Sequence, residues 1–291
     1  MTRGRALALM LLAPLLWSSA GVVTRHIERA SAFEQVFWRS LFAFAFVAVA
    51  LACMKKHPLK ALRAAGAPGL FSGAMWAVMF TAFVVALSLT TTANTLVTMS
   101  VSPLLTILFA RMALADPVPL RTWLAAGAAA LGIGWMFSAG FSAAHVAGMA
   151  VAFLVPVAAA LNVVVLRATA ARVDLVPAIM LGAALSCAIA LPLALPMQAT
   201  GRDLLLLGLL GIFQLGLPCM LLVLASRALL APELALLGLL EVVLGPLWAW
   251  LGAGEVPASA TLAGGAIVLG ALVLNELGAL ARPGLRRRPA L

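Results

Sequence analysis

The chain is 291 residues long, 65% hydrophobic and only 10% charged. Soluble domains are nearer half apolar and a quarter charged, so 19 basic and 9 acidic side chains cannot cover a core of this size and the excess must face lipid. The abundance of Leu, Val, Ile and Phe excludes a disordered chain, and the net charge of +10 points to nucleic acid only until the placement of the charges is considered.

A helix crosses a bilayer in about 20 apolar residues. Such stretches run Ala6–Thr24, Gln35–Ala52, Pro68–Leu89, Ala93–Leu114 and Leu120–Ser138, then Ala147–Leu166, Leu175–Met197, Leu204–Ser226, Ala235–Leu251 and Ala260–Leu280. Arg3 and Arg5 ahead of the first run resemble the start of a signal peptide, but the run continues to Val23 and is read as a retained first helix. The runs are long and lack strict alternation. Lipid-facing backbone must be hydrogen-bonded within its own segment, so helices and not barrel strands are expected. The expected fold is an all-α integral membrane protein, one transmembrane domain over 1–291 with ten spans.

Basic residues orient these spans. With the N-terminal tail inside, fifteen of the 19 lie in inner connections and tails, among them Lys55, Lys56, Lys60 and Arg63. Only Arg25, Arg29 and Arg202 fall outside, and Arg39 lies within a span. That bias predicts both termini in the cytoplasm and a multi-pass protein of the inner or plasma membrane. The basic charge is then topology and attraction to anionic lipid, and nucleic acid drops out as a partner. His26, His57 and His145 fall in connections, and Cys53, Cys187 and Cys219 are widely spaced, so neither a metal nor another cofactor is expected.

The chain also repeats. Ser102-Pro103 precedes Asp116 as Glu241-Val242 precedes Glu255, at an offset of 139, and a proline turn follows each acid. Beyond the turns Pro119, Gly127 and Gly132 match Pro257, Gly265 and Gly270 at 138. Two halves follow, 1–140 and 145–291, each with five helices. An odd number inverts one half relative to the other, an arrangement that supports alternating access around a midplane site.

Ten spans in two inverted halves resemble the drug/metabolite transporter superfamily, specifically its EamA family. The residues carrying the resemblance are Trp17-Ser18-Ser19 in the first helix, Phe37-Trp38-Arg39-Ser40 in the second, and the two pairs with their downstream acids. The second pair reads Glu-Val where Glu-Pro is usual, the first has Ser where Glu is usual, and the sixth helix lacks the Trp. The resemblance implies a transporter of small metabolites; the family's members include exporters of amino acids, aromatic ones among them.

Polar residues at membrane depth are the candidates for substrate contact, since each costs roughly 2.5 kcal/mol or more to insert. Glu241 either faces the cavity, holding a proton or a substrate ammonium, or is a buried neutral group bonded to a neighbouring helix. Arg39 either pairs with Glu34 or Glu28 as an anchor, or receives a substrate carboxylate. Asn94 and Thr98 share a helix face; Asn162 and Gln214 are buried amides that bridge helices or touch substrate. Trp76, Phe80 and Phe83 lie at i, i+4 and i+7 and with Trp17 and Trp38 could line an aromatic pocket or pack on neighbours. Asp116, Glu233, Glu255 and Glu276 near helix ends read as structural, and the loop around Lys56 as solvated. Gly127, Gly132, Gly264 and Gly270 suggest close helix packing.

No nucleophile–base pair supports an enzyme and no GxxxxGK[ST] segment supports an ATPase. No Lys lies in a span, which argues against sugar-phosphate dianions. The expectation is a secondary exporter of amino acids, aromatic or large apolar ones first, with membrane lipid as surroundings and protons as a candidate coupling ion. The alternative is proton-coupled export of lipophilic cations.

Overall fold

The computed structural model describes residues 1–24, 26–90, 92–114, 118–136, 138, 146–253 and 258–280. Arg25, Asp116, His145, Glu255 and the basic residues from Arg282 onward lie outside them, as does the side chain of Glu276. The helices are α1 (Arg3–Trp17), α2 (Ala20–Thr24), α3 (Ala32–Cys53), α4 (Pro58–Leu89), α5 (Thr92–Met99), α6 (Ser102–Leu114), α7 (Leu120–Met136) and α8 (Val146–Thr169). They continue as α9 (Val176–Ala194), α10 (Gly201–Leu209), a π-helical segment Leu210–Gly216, α11 (Leu217–Ala225), α12 (Ala231–Gly238), α13 (Leu240–Ala253) and α14 (Ser259–Leu280). No strand occurs among the described residues. Among the described residues seven segments are long and apolar enough to cross a membrane. The remaining expected spans fall on α7, on α12 with α13, and on α14, whose apolar stretch is Ser259–Asn275.

Four of the expected spans are broken or distorted helices, and their local chemistry explains where. Pro14 cannot donate to the carbonyl four residues back, and at the end of α1 Ser18 and Ser19 turn their hydroxyls onto the Leu15 and Leu16 carbonyls at 2.8 and 2.7 Å. Pro103 does the same to the turn at Ser100-Val101, separating α5 from α6. Leu239 separates α12 from α13, 139 residues after Ser100, the offset of the sequence repeat. Pro218 follows the π segment, in which the Leu217 N–H reaches five residues back to the Ile212 carbonyl. α4 is kinked rather than broken. Gly66 takes a φ of +58°, open to glycine at little cost, and Pro68 restarts the helix where the expected span begins.

Packing interleaves the two ends of the chain. α4 lies along α8 and α9, and α5 and α6 lie along α8. On the other side α1 packs on α11, α12 and α13, and α3 on α10 and the π segment. The two groups meet where α3 runs along α9 and α12 along α6, while α7 and α14 pair beside them. Residues 1–140 and 145–291 are therefore not two separate bodies facing each other. Each packed group takes helices from both. Glycine permits the closest approaches: a Cβ at Gly182 would sit 2.9 Å from the Gly73 carbonyl, and one at Gly132 would sit 2.9 Å from the Gly264 carbonyl. Gly127 and Gly270 have nothing within 4 Å, so only half of the expected glycine contacts form.

The connections are tied in two sets, at opposite ends of α3. At one end Asp174, between α8 and α9, accepts from Lys56 at 2.5 Å and from Arg227 at 3.1 Å. Arg3 pairs with Glu233 at 3.0 Å across α1 and α12. Lys56 is thus not simply solvated, as its basic loop suggested: the α8–α9 turn brings it a carboxylate. Partial burial pushes the Asp174 carboxyl up, but the hydrogen bonds from Lys56 and the Val176 N–H and the Lys56 and Arg227 charges outweigh it and hold it below its ordinary value. At the other end Glu34 accepts from the backbone N–H groups of Gln198 and Ala199, and Asp203 from those of Glu28 and Arg29. Arg202 pairs with Glu28 at 2.8 Å.

Candidate functional site

A cavity of ≈ 180 Å³ opens in the middle of the bundle, and it gathers the irregular parts of the helices. Trp17 is the last residue of α1 before its break. Met99 and Ser102 flank the break between α5 and α6. Gly238, Leu239 and Glu241 surround the break between α12 and α13, and Gln214 sits in the π segment. π-helical turns recur at functional sites because they trade regular backbone bonding for a re-aimed side chain.

One wall is aromatic. Trp76, Phe80 and Phe83 descend one face of α4, with the Trp76 and Phe80 rings 5.5 Å apart. Asn162 of α8 joins this wall, held by Ser72, whose hydroxyl donates to its Oδ1 at 2.6 Å. The cavity is also lined by Arg39 on α3, Gln214, Cys219 on α11 and Glu241 on α13. A Cβ at Gly211 would sit 2.5 Å from the Arg39 carbonyl, so the absence of a side chain there lets the π segment lie directly on α3 beside Arg39. Arg39, Cys219 and Glu241 thus line the same cavity.

Arg39 does not pair with Glu34 or Glu28, the anchor expected from its position. Backbone N–H groups already occupy Glu34, and Glu28 is taken by Arg202. Arg39 instead donates from Nη2 to the Phe80 carbonyl at 3.0 Å, and its Nε has no protein partner among the described residues although the residue is only 3% exposed. Three further buried polar atoms around the cavity share that condition: Trp76 Nε1, Asn162 Nδ2 and Gln214 Oε1. Leaving a buried polar group unpaired costs about 1–3 kcal/mol each, so four such atoms around one cavity mark it as a place where polar ligand groups would be stabilised. Among the described residues Glu241 has no ion-pair partner either.

Eight of the eleven candidate residues line this cavity: Trp17, Arg39, Trp76, Phe80, Phe83, Asn162, Gln214 and Glu241. Trp38, Asn94 and Thr98 do not. Trp38 is one residue from Arg39, about 100° around the helix, and packs with Ala30, Leu207 and Leu210 and against the Phe37 ring at 5.2 Å. Asn94 donates to the Thr90 hydroxyl at 2.8 Å and Thr98 to the Asn94 carbonyl at 2.7 Å. Met10, Met79, Met99 and Cys219 also line the cavity and were not singled out, because a methionine facing a cavity and one facing a core look alike in sequence. Ser102 had a signal in the Pro103 beside it.

Residues 4–138 match the model of the EamA-like transporter family. No curated protein matches the sequence. A solved crystal structure superposes with a TM-score of 0.83 at 20% sequence identity, covering 97% of this chain and 99% of the other, a likeness that shows the fold. With seven helices among the described residues long and apolar enough to cross a bilayer, the chain is a multi-pass membrane protein with a transporter-family segment.

Proposed function

We propose that the chain is a secondary transporter exporting amino acids, aromatic and large apolar ones first, by alternating access across the inner or plasma membrane. The observation that carries this reading is that one cavity holds the buried Arg39 guanidinium, the Glu241 carboxylate and the aromatic side chains of Trp76, Phe80 and Phe83. A zwitterion presents the complementary charges: its carboxylate to Arg39, its ammonium to Glu241 and Gln214 Oε1, and its side chain to Trp76, Phe80 and Phe83. A lipophilic cation would meet repulsion from Arg39, and ≈ 180 Å³ is small beside the roughly 300–1,000 Å³ of drug-sized sites.

Ten spans in two inverted halves, with both termini cytoplasmic, are part of this proposal. Three features support it. The family match ends within two residues of the proposed boundary at 140. The helix breaks at Ser100 and Leu239 recur at the repeat offset. The helix packing has the exchange symmetry of such a repeat: α1 on α11 mirrors α4 on α8, and α3 on α9 and α7 on α14 map onto themselves. The ion-paired connections at the Asp174 end are those expected inside, and the two bonded at the Glu34 end are those expected outside.

Counterflow in proteoliposomes against a panel of amino acids and cationic dyes, with and without an imposed pH gradient, tests the reading. Amino acid flux is expected. Flux of dyes alone would replace it with cation export, and cysteine labelling of the two termini on opposite sides would remove the inverted repeat.

A further inference from the structure

The aromatic wall carries more than apolar surface. Ser72, Trp76 and Phe80 stand on one face of α4 at four-residue intervals, and beside each level lies a buried, unpartnered N–H of a residue that lines the cavity. At the Ser72 level this is Asn162 Nδ2, since the Ser72 hydroxyl donates to Oδ1 and the nitrogen has no partner. At the next level it is Trp76 Nε1, and at the Phe80 level it is Arg39 Nε, held there by the bond from Nη2 to the Phe80 carbonyl. Asn162 is 0% and Trp76 3% exposed, and neither of these N–H groups has a protein acceptor among the described residues. The first and last levels are ~12 Å apart along the helix axis. The guanidinium end suits a carboxylate. The far end offers two neutral donors with no charge beside them, which suits a neutral acceptor oxygen and not a second anion.

We propose that Asn162 Nδ2 and Trp76 Nε1 form a distal subsite that selects aromatic amino acids bearing a hydroxyl oxygen on the ring, so that a tyrosine-like substrate is preferred to phenylalanine. This deepens the amino acid reading and rests on it. The phenol oxygen accepts from one or both N–H groups; an indole brings only a further N–H and meets donors with a donor. Phenylalanine fills the same wall but leaves both buried donors unpaired, the situation in which hydrogen-bonding sites discriminate most strongly.

The test is counterflow in proteoliposomes with tyrosine, phenylalanine and tryptophan, on the wild-type protein and on Asn162→Leu and Trp76→Phe. Trp76→Phe removes the N–H together with part of the indole but keeps an aromatic ring at this level, so it carries the test should Asn162→Leu fail to fold. The wild type is expected to favour tyrosine over phenylalanine about tenfold, as one or two neutral hydrogen bonds provide, with tryptophan weakest. In either variant the ratio falls to within about twofold, whatever the change in the absolute rates. An unchanged ratio in a folded variant, or a wild type that prefers phenylalanine, overturns the subsite while leaving amino acid export standing. If none of the three amino acids moves, the export reading fails and takes the subsite with it.

Discussion

Replacing Arg39 by Gln separates recognition of a carboxylate from mere packing. Arg39 is 3% exposed, spends one N–H on the Phe80 carbonyl at 3.0 Å, and has no carboxylate of its own among the described residues. Hydrogen bonds to a charged group are worth about 1.5–3 kcal/mol each, and the fork of the guanidinium can give two. Counting one charge-assisted bond lost and the other partly replaced by the amide, the substrate loses about 2–3 kcal/mol. That is a fall of about 30- to 150-fold in apparent affinity. The amidated form of the same amino acid never made that bond and should lose little. The assay is competition for counterflow by an amino acid and by its amide, in wild type and Arg39→Gln, with unfolding in detergent as the control for structure. Equal losses for the two compounds would refute the reasoning, because they would show that Arg39 holds the wall in place and does not read the carboxylate.

Glu241→Gln removes the acceptor proposed for the ammonium. Amino acid affinity should fall about tenfold or more while the desamino acid is unaffected, and the pH dependence of flux should flatten; an unaltered pH profile at wild-type rate takes Glu241 out of the mechanism. Asp174 tests the connections: its carboxyl is held below the ordinary value, so its contribution to stability is fully present above that value and disappears as pH falls through the lowered one. Two part-exposed ion pairs give about 1–2 kcal/mol together, so Asp174→Asn should lower Tm in detergent by a few degrees at pH 7. The gap should close in strong acid, and a gap that persists there points to packing instead. Gly132→Ala should destabilise the α7–α14 contact by about 1–3 kcal/mol, since its Cβ would meet the Gly264 carbonyl at 2.9 Å, whereas Gly127→Ala, with nothing within 4 Å, should be neutral. Equal Tm values for the two would remove the close approach.

Several features are one-dimensional, and composition and local chemistry suffice for them. The apolar runs, the positive bias of the connections, the prolines at 14, 103 and 218 that mark disturbed helices, and the offset of 139 are all visible in the chain. The i, i+4, i+7 spacing of Trp76, Phe80 and Phe83 placed them on one face, and any helix must keep them there. Which side of a helix meets a cavity is a different kind of fact. In a protein bathed in lipid the outside is as apolar as the inside, so hydrophobic periodicity does not tell core from periphery. Trp38 and Arg39 are neighbours in sequence, yet one packs outward with Leu207 and Leu210 and the other faces Glu241's cavity. Nor could the sequence say that Glu34 and Glu28 would be consumed by Gln198, Ala199 and Arg202, leaving Arg39 without a carboxylate. Those partners lie more than 150 residues away, and only the interleaving of the two ends of the chain brings them together.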